Sequence, residues 1–401
     1  MPKHAKLSAS GAELWMNCPG SVHMAELFPE KASPAAAEGT LAHALAETMI
    51  KEARDGFGPV LQAEYAAERE EVTAFYSAHK ELDSSFEGMK KVLGPYIDYV
   101  MEEYEKVRRA DAAAMLMTEQ HVDFSDIVPG GFGTSDVVIV GNDTCEVIDL
   151  KYGKGVPVSA VNNPQIRLYT YGTMAAFDLS YDFKTVRMVI YQPRLDSVTA
   201  EELGADDLRS WGRAVIAPAA KRALSKKLSY HPGSWCKSHF CPAAGSCKAR
   251  AAKMQEFEEM LKKRREDSAI LSGDEMGRAL TAAREYTAWA KDLESEALTM
   301  TQEGQEVTGW KVVESVAKRK YKSEDIVAAT LVRAGYDPAL IYEKKLLGLT
   351  KMQQLTGKKE FKVLLEDTGL VYKPDGAPTL APESDRRPAI VTNITADDFN
   401  D

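Results

Sequence analysis

The stretch GTSDVVIV…CEVIDLKYGKG, residues 133–155, constrains this chain more than any other. The run Val137–Val140 is wholly β-branched and follows Asp136, while Val147 and Ile148 precede Asp149. Such side chains lose freedom in a helix and fit a pleated surface. Gly141-Asn142-Asp143 between the runs supplies turn chemistry, so the pattern predicts two strands joined by a hairpin. Residues two apart on a strand share a face. Asp149 and Lys151 then point together while Leu150 turns into the core, and pairing through the turn carries Asp136 towards Asp149. Two carboxylates, the Leu150 backbone carbonyl and room for water suit Mg2+ or Mn2+. A lysine beside them suits orienting a water or offsetting charge on a phosphate. Read alone, Asp149-Leu150-Lys151 is an ordinary solvated strand end with an incidental ion pair, so its neighbours decide.

Strands are expected at Met115–Val122, Gly131–Val140, Cys145–Leu150 and Val186–Tyr191, separated by Gly- and Pro-rich turns. Helices are expected around Leu14 and Trp15, from Ser33-Pro34 onward, over 58–108 as a pair, and over 162–177 and 201–227. The helix after Ser33-Pro34 places Leu41, Leu45 and Met49 on one face and carries His43, with Glu47 a turn later. Gly39 inside it costs about 1 kcal/mol, which points to close backbone approach or a late helix start. On the helix at 162–177, Gln165 and Tyr169 are four apart and share a face. An amide and a phenol there suit contact with a substrate backbone or base, and equally suit a core aromatic with a rim amide. Beyond about residue 250 the chain is charged and helical, with Ser272-Gly273-Asp274 starting a helix towards Gly304. Gly309–Glu314 reads as a strand, 323–334 as a helix, 350–367 as short helices, and the tail with Pro374, Pro378, Pro382 and Pro388 as extended.

The net charge of −10 argues against a chain that coats nucleic acid non-specifically, but leaves room for a local basic groove. The N-terminus has no apolar signal core, and no run approaches the roughly 20 apolar residues of a membrane helix. Five cysteines without a signal indicate a reducing compartment, where clustered thiols hold metal more often than disulfides. A cytoplasmic protein is expected. Cys236, Cys241 and Cys247 form a dense loop one ligand short of a closed site, with Cys18 the natural fourth. His239 or His231 in its place makes a Cys3His zinc site, and composition does not separate zinc from iron–sulfur. Cys145 reads as a buried structural thiol. Trp235, Lys237, Lys248 and Arg250 near the loop suit a strand-binding groove or an ordinary loop rim.

Together these residues resemble the RecB-like nucleases of the PD-(D/E)xK superfamily, and most closely the iron–sulfur subgroup with CRISPR-associated exonucleases and the AddB nuclease domain. The helix-borne histidine is matched by His43 and the motif aspartate by Asp136. Asp149 and Lys151 match the D/E-x-K pair, and Gln165 and Tyr169 the Q-x-x-x-Y helix, with Glu119 on the strand before as an acid standing behind the ligands. Cys18, Cys236, Cys241 and Cys247 match the thiolates of a 4Fe–4S cluster, although the first pair of the downstream trio is spaced more widely than in many relatives. The resemblance spans residues 8–250, and the whole chain further looks like a phage and prophage family carrying this core.

What the resemblance implies is an α/β restriction-endonuclease-like mixed sheet flanked by helices, with a helical α+β extension. The nuclease domain would occupy 1–256, closed by the cluster, and a mostly helical accessory region 257–401. The expected activity is Mg2+- or Mn2+-dependent hydrolysis of DNA phosphodiesters, as an exonuclease on ends or single strands. Its partners would be DNA and phage recombination or replication proteins, in the host cytoplasm and away from the membrane. The alternatives are a catalytically silent, metal-stapled module that binds DNA or a partner, and a zinc-stabilised interaction protein.

Overall fold

The β-branched runs form the sheet they predict. The computed structural model describes residues 5–28, 34–55, 70, 72–74, 76–77, 85–263, 272–313, 324–337, 341–342 and 348–371. The chain divides into two compact units, Met1–Val313 and Glu314–Asp401.

In the first unit, helices α1 (Ala12–Asn17), α2 (Ser21–Leu27), α3 (Pro34–Asp55) and α4 (Phe86–Ala110) lead to strands β1 (Met115–Asp123), β2 (Phe132–Val140) and β3 (Thr144–Leu150). Helix α5 (Pro164–Phe177) then crosses to β4 (Thr185–Gln192), and β5 (Ser197–Gly204) closes the sheet. The order is β1-β2-β3-β4-β5, with β3 and β4 parallel and the other neighbours antiparallel. A helical crossover between β3 and β4 is what a parallel pair requires. This is a mixed five-stranded sheet flanked by helices.

Each face has its own core. Leu41, Leu45 and Ile50 of α3 and Leu93, Tyr96 and Val100 of α4 pack on Val137, Ile139, Ile148 and Leu150. On the other face, Ile166, Leu168 and Met174 of α5 pack with Val138, Val140, Val147, Met188 and Ile190. Helix α5 is apolar nearly all round, as a helix enclosed by protein should be. Asn163 caps it by accepting from the Gln165 and Ile166 N–H groups at 3.0 and 3.4 Å, with Pro164 in the first turn.

Several expectations change. Ser197–Gly204, partly included in an expected helix, is an edge strand with strictly alternating exposure. Its Ala-Glu-Glu-Leu centre favours helix by composition, but pairing along β4 and the Arg167–Glu201 bridge at 2.6 Å hold it extended. The following helix α6 (Ala205–Trp211) passes through a π-turn at Gly212–Ile216 into α7 (Ala217–Ala223). Val307–Val313 forms a turn and irregular chain instead of a strand, and Glu314 lies outside the described residues. A Cβ at Gly39 would meet nothing within 4 Å, so this glycine is no point of close approach; it sits inside α3. Ser33, most of 58–84 and the proline-rich tail also lie outside the described residues.

Short helix α8 (Trp235–Ser238) lies in the cysteine loop, followed by α9 (Lys248–Lys263) and α10 (Gly273–Gln302). Helix α10 starts with a full capping box, Ser272 with Glu275, and belongs to the first unit. The second unit, taken by itself, contains α11 (Glu324–Arg333), α12 (Leu349–Thr356) and α13 (Lys358–Phe361), which continues into a π-turn at Lys362–Glu366. No helix of the described residues is long and apolar enough to cross a membrane.

Candidate metal centre

The β1–β2 ladder pairs Thr118 with Val137 and Gln120 with Ser135, but skips the rung between them, Glu119 and Asp136. The β2–β3 ladder ends at Val137 with Ile148, so Asp136 and Asp149 are the first residues past it. Glu119, Asp136 and Asp149 therefore stand in one row across three strands, at the only internal gap in one ladder and the fork of the other. Like charges directly opposed on a sheet destabilise it, so this row calls for cations.

Two come from the protein. His43, on α3, places Nδ1 3.0 Å from Asp136 Oδ1, while the other oxygen of Asp136 accepts the Leu150 N–H at 2.7 Å. Lys151 Nζ lies 2.7 Å from Asp149 Oδ2 as an ion pair, and that buried oxygen accepts no other hydrogen bond. Asp149 is 2 % exposed. Gln165 Nε2 donates to Asp149 Oδ1 at 3.3 Å and to the Tyr169 hydroxyl at 3.4 Å. A Cβ at Gly133 would sit 2.7 Å from Tyr169 Cε1, so the β2 backbone is held close against this ring.

The fields are strong. Burial opposes charge on His43, but Asp136 overrides it and lifts the pKa to about 9. Burial pushes the Asp136 carboxyl up, and His43, Lys151 and the Leu150 N–H together hold it below the ordinary range. Asp149 moves up because burial, joined by Asp136, outweighs Lys151. Lys151 stays cationic: burial works against its charge, yet Asp149 and Asp136 raise its pKa. Burial and then Asp136 push Glu119 to about 7. Perturbed groups converging on one spot are what functional sites produce.

Among the described residues, the group of three or more ligand side chains whose atoms all lie within 4.8 Å is His43, Glu119 and Asp136. Of the residues expected from sequence, His43, Asp136, Asp149, Lys151, Gln165 and Tyr169 are brought together, and Leu150 contributes its N–H to Asp136. Glu119, which the sequence offers as an acid standing behind the ligands, lies among them. Its signal was countable: once β1 and β2 pair through the Pro129-Gly130-Gly131 turn, it falls opposite Asp136.

The cysteines form a second locality. Burial raises the pKa of Cys18, and the nearby Cys236 and Cys247 thiols add to it. Cys241 is pushed to about 11 by burial, with contributions from Cys236, Cys18 and Cys247. The four thiols are electrostatic neighbours without lying within the 4.8 Å span that the fork residues meet. Cys18 Sγ accepts the His231 N–H at 3.4 Å and Cys236 Sγ the Gly233 N–H at 3.5 Å. The two chain segments are clamped by Gly20 N–H donating to the Ser229 carbonyl at 2.8 Å. Cys145 is fully buried in the core under α5. Arg250, offered by the sequence as a groove residue, is 4 % exposed and bound to Asp292 at 2.7 Å; Lys237 takes the other oxygen of Asp292. Both anchor α10 to the cysteine loop.

A solved structure titled "Crystal structure of SSO0001" is 21 % identical, covering 44 % of this chain and 79 % of that one, with a TM-score of 0.22. A likeness at that score carries no argument. The match to the family described as "Protein of unknown function (DUF2800)" extends over residues 4–388, and the chain belongs to that family.

Proposed function

We propose that the protein is a Mg2+- or Mn2+-dependent deoxyribonuclease of the PD-(D/E)xK type, acting on DNA ends or single strands in phage replication or recombination. One observation carries this reading: a buried oxygen of Asp149 lacks a hydrogen-bond donor and faces Lys151, in a row of acids at the fork of a mixed sheet. A row with more carboxylates than cations fits a divalent ion with oxygen ligands. Bound there, such an ion supplies Lewis acidity to the scissile phosphate and lowers the pKa of water.

The chain's own groups do the rest. Asp136 and Asp149 provide ligand oxygens, with His43 beside Asp136. Lys151, kept cationic by the two aspartates, holds a water by its ammonium and offsets charge growing on the phosphate. Gln165, anchored by Asp149 and Tyr169, fixes the rotamer of Asp149 and offers a donor at the rim. The Gly153–Gly155 turn beside the centre carries Lys154 on an exposed stretch, suited to a phosphate backbone.

The cysteine corner is read as the seat of a structural 4Fe–4S cluster formed by Cys18, Cys236, Cys241 and Cys247. A single zinc would draw four thiolates to about 3.8 Å of one another, from Zn–S bonds of about 2.3 Å. Backbone N–H groups directed at Cys18 and Cys236 Sγ suit the hydrogen bonding that tunes an iron–sulfur cluster.

The test is hydrolysis of labelled linear single- and double-stranded DNA with Mg2+ or Mn2+, comparing wild type with Asp149→Ala and Lys151→Ala. Cleavage by wild type alone is expected. Equal activity in all three sinks the site assignment, and an inert wild type moves the protein to the class of DNA- or partner-binding modules.

A further inference from the structure

Glu119 has a backbone φ of 46°, in the left-handed region that non-glycine residues avoid. It is the only such residue inside a strand, among the described residues. Its neighbours show what that conformation does. Leu116 faces the core under α3 and α4, whereas Val122, six residues on, faces the core under α5. A regular strand would keep both on one side. Across the gap, Val137 belongs to the α3 and α4 side while Gly133 abuts Tyr169 of α5. The two strands thus exchange faces at the rung formed by Glu119 and Asp136.

A chain that needed only this twist has glycine or asparagine for the position. Here the residue is a glutamate opposite an aspartate, without a hydrogen bond or ion pair among the described residues. Its carboxylate lies within 4.8 Å of the ligand atoms of His43 and Asp136. The neighbouring Asp149 keeps a buried oxygen outside any hydrogen bond, with the Lys151 ammonium 2.7 Å from it as an ion pair. We propose that Glu119 is a ligand of the divalent cation held at Asp136, and that the face exchange in β1 serves to bring it there. This rests on the fork being a metal centre.

The experiment is Mn2+ titration of the full-length protein, by calorimetry or by loss of the free-ion paramagnetic resonance signal. Wild type, Glu119→Gln, Glu119→Gly and Asp136→Asn are compared, with metal-free thermal midpoints for each. Wild type should bind and Asp136→Asn should not. Glu119→Gln should bind at least tenfold more weakly. Glu119→Gly should lose affinity in the same way while its metal-free midpoint rises by about 2–4 °C, because glycine relieves the backbone and removes an opposed charge. A purely architectural glutamate would leave Mn2+ affinity within twofold of wild type in both variants, and that result overturns the proposal while the metal centre stands. A wild type that binds no Mn2+ overturns the metal centre and this ligand with it.

Discussion

Strand β3 carries two buried acids, Glu146 and Asp149, and the sheet treats them in opposite ways. Glu146 faces the side covered by α4. Its Oε1 receives Arg187 Nε at 3.1 Å, and Arg187 also reaches Glu202 at 3.1 Å and the Tyr99 hydroxyl at 3.0 Å. Glu103 beside them is held by Lys106 at 2.6 Å. Each acid there has a cation, and the ladders through Glu146 on both sides are unbroken. Asp149, three residues on, has a lysine at the same kind of distance, yet keeps an oxygen without a donor at a place where the ladder has stopped. Two acid clusters of similar composition thus differ in closure. One is finished by its own side chains, and the other keeps a buried carboxylate oxygen outside any hydrogen bond. Salt-bridge counts do not separate them; orphaned atoms and broken rungs do.

The largest effect that sharpens this contrast is on activity. Asp149→Asn keeps the shape of the side chain and should lower DNA cleavage by about 10^3-fold, the scale of losing one preorganised electrostatic group. Its thermal midpoint should hold or rise, since a buried charge has gone. Glu146→Gln should leave cleavage within twofold. Loss of cleavage in Glu146→Gln with full activity in Asp149→Asn would reverse the assignment of the two clusters.

Cys18→Ser addresses stability without touching either acid cluster. Cys18 lies more than two hundred residues from Cys236, Cys241 and Cys247, and its segment meets theirs through the Gly20–Ser229 bond. If a cluster ties these segments, binding energy is folding energy. The variant should lose about 10 °C of midpoint and the brown absorbance of the purified protein, with early proteolysis near residues 229–250. An unchanged midpoint removes the cluster from the account of this corner.

Glu146 should also set a pH dependence. Burial pushes its pKa to about 7 in the folded protein, above the ordinary 4.5, and Arg187 only partly offsets that. A raised acid pKa means that folding favours the protonated form. The contribution is fully present below about pH 4.5 and is lost as pH climbs through 7. The difference in stability between wild type and Glu146→Gln should therefore turn against wild type between pH 5 and pH 8, by at most about 3 kcal/mol. Denaturant melts at those pH values measure it, and a flat difference shows that Arg187 keeps Glu146 ionised throughout.

The sequence was most legible where a local rule and the global fold agree. The β-branched run at Val137–Val140 and the Gly141-Asn142-Asp143 turn dictate β2 and β3, and two-residue periodicity puts Lys151 beside Asp149. Asn163-Pro164 announces α5 and so the placement of Gln165 and Tyr169. Ser197–Gly204 hid because its helix-forming residues are overruled by edge pairing with β4, the strand just before it. Glu119 hid for a different reason. The sequence reads it as an acid standing behind the ligands, because no propensity rule foresees a left-handed glutamate in the middle of a strand. Arg250 reads as surface charge until Asp292, more than forty residues on, is folded against it.

The smallest effects test how tightly the open cluster is held from behind. Gly133→Ala places a methyl 2.7 Å from the Tyr169 ring, which must shift, carrying with it the hydrogen bond to Gln165 and so the donor on Asp149. A displacement of this kind should lower kcat about tenfold with little change in KM, because substrate contacts elsewhere are intact and only positioning suffers. Gly39→Ala is the matched control on the opposite face. Its new methyl meets nothing within 4 Å, so it should stabilise α3 by about 1 kcal/mol and leave kcat alone, although His43 is four residues away on the same helix. Were both alanines to lower kcat equally, the centre would depend on general looseness of its surroundings. A fall confined to Gly133→Ala means that the chain Gly133–Tyr169–Gln165–Asp149 sets the position of the Asp149 carboxylate.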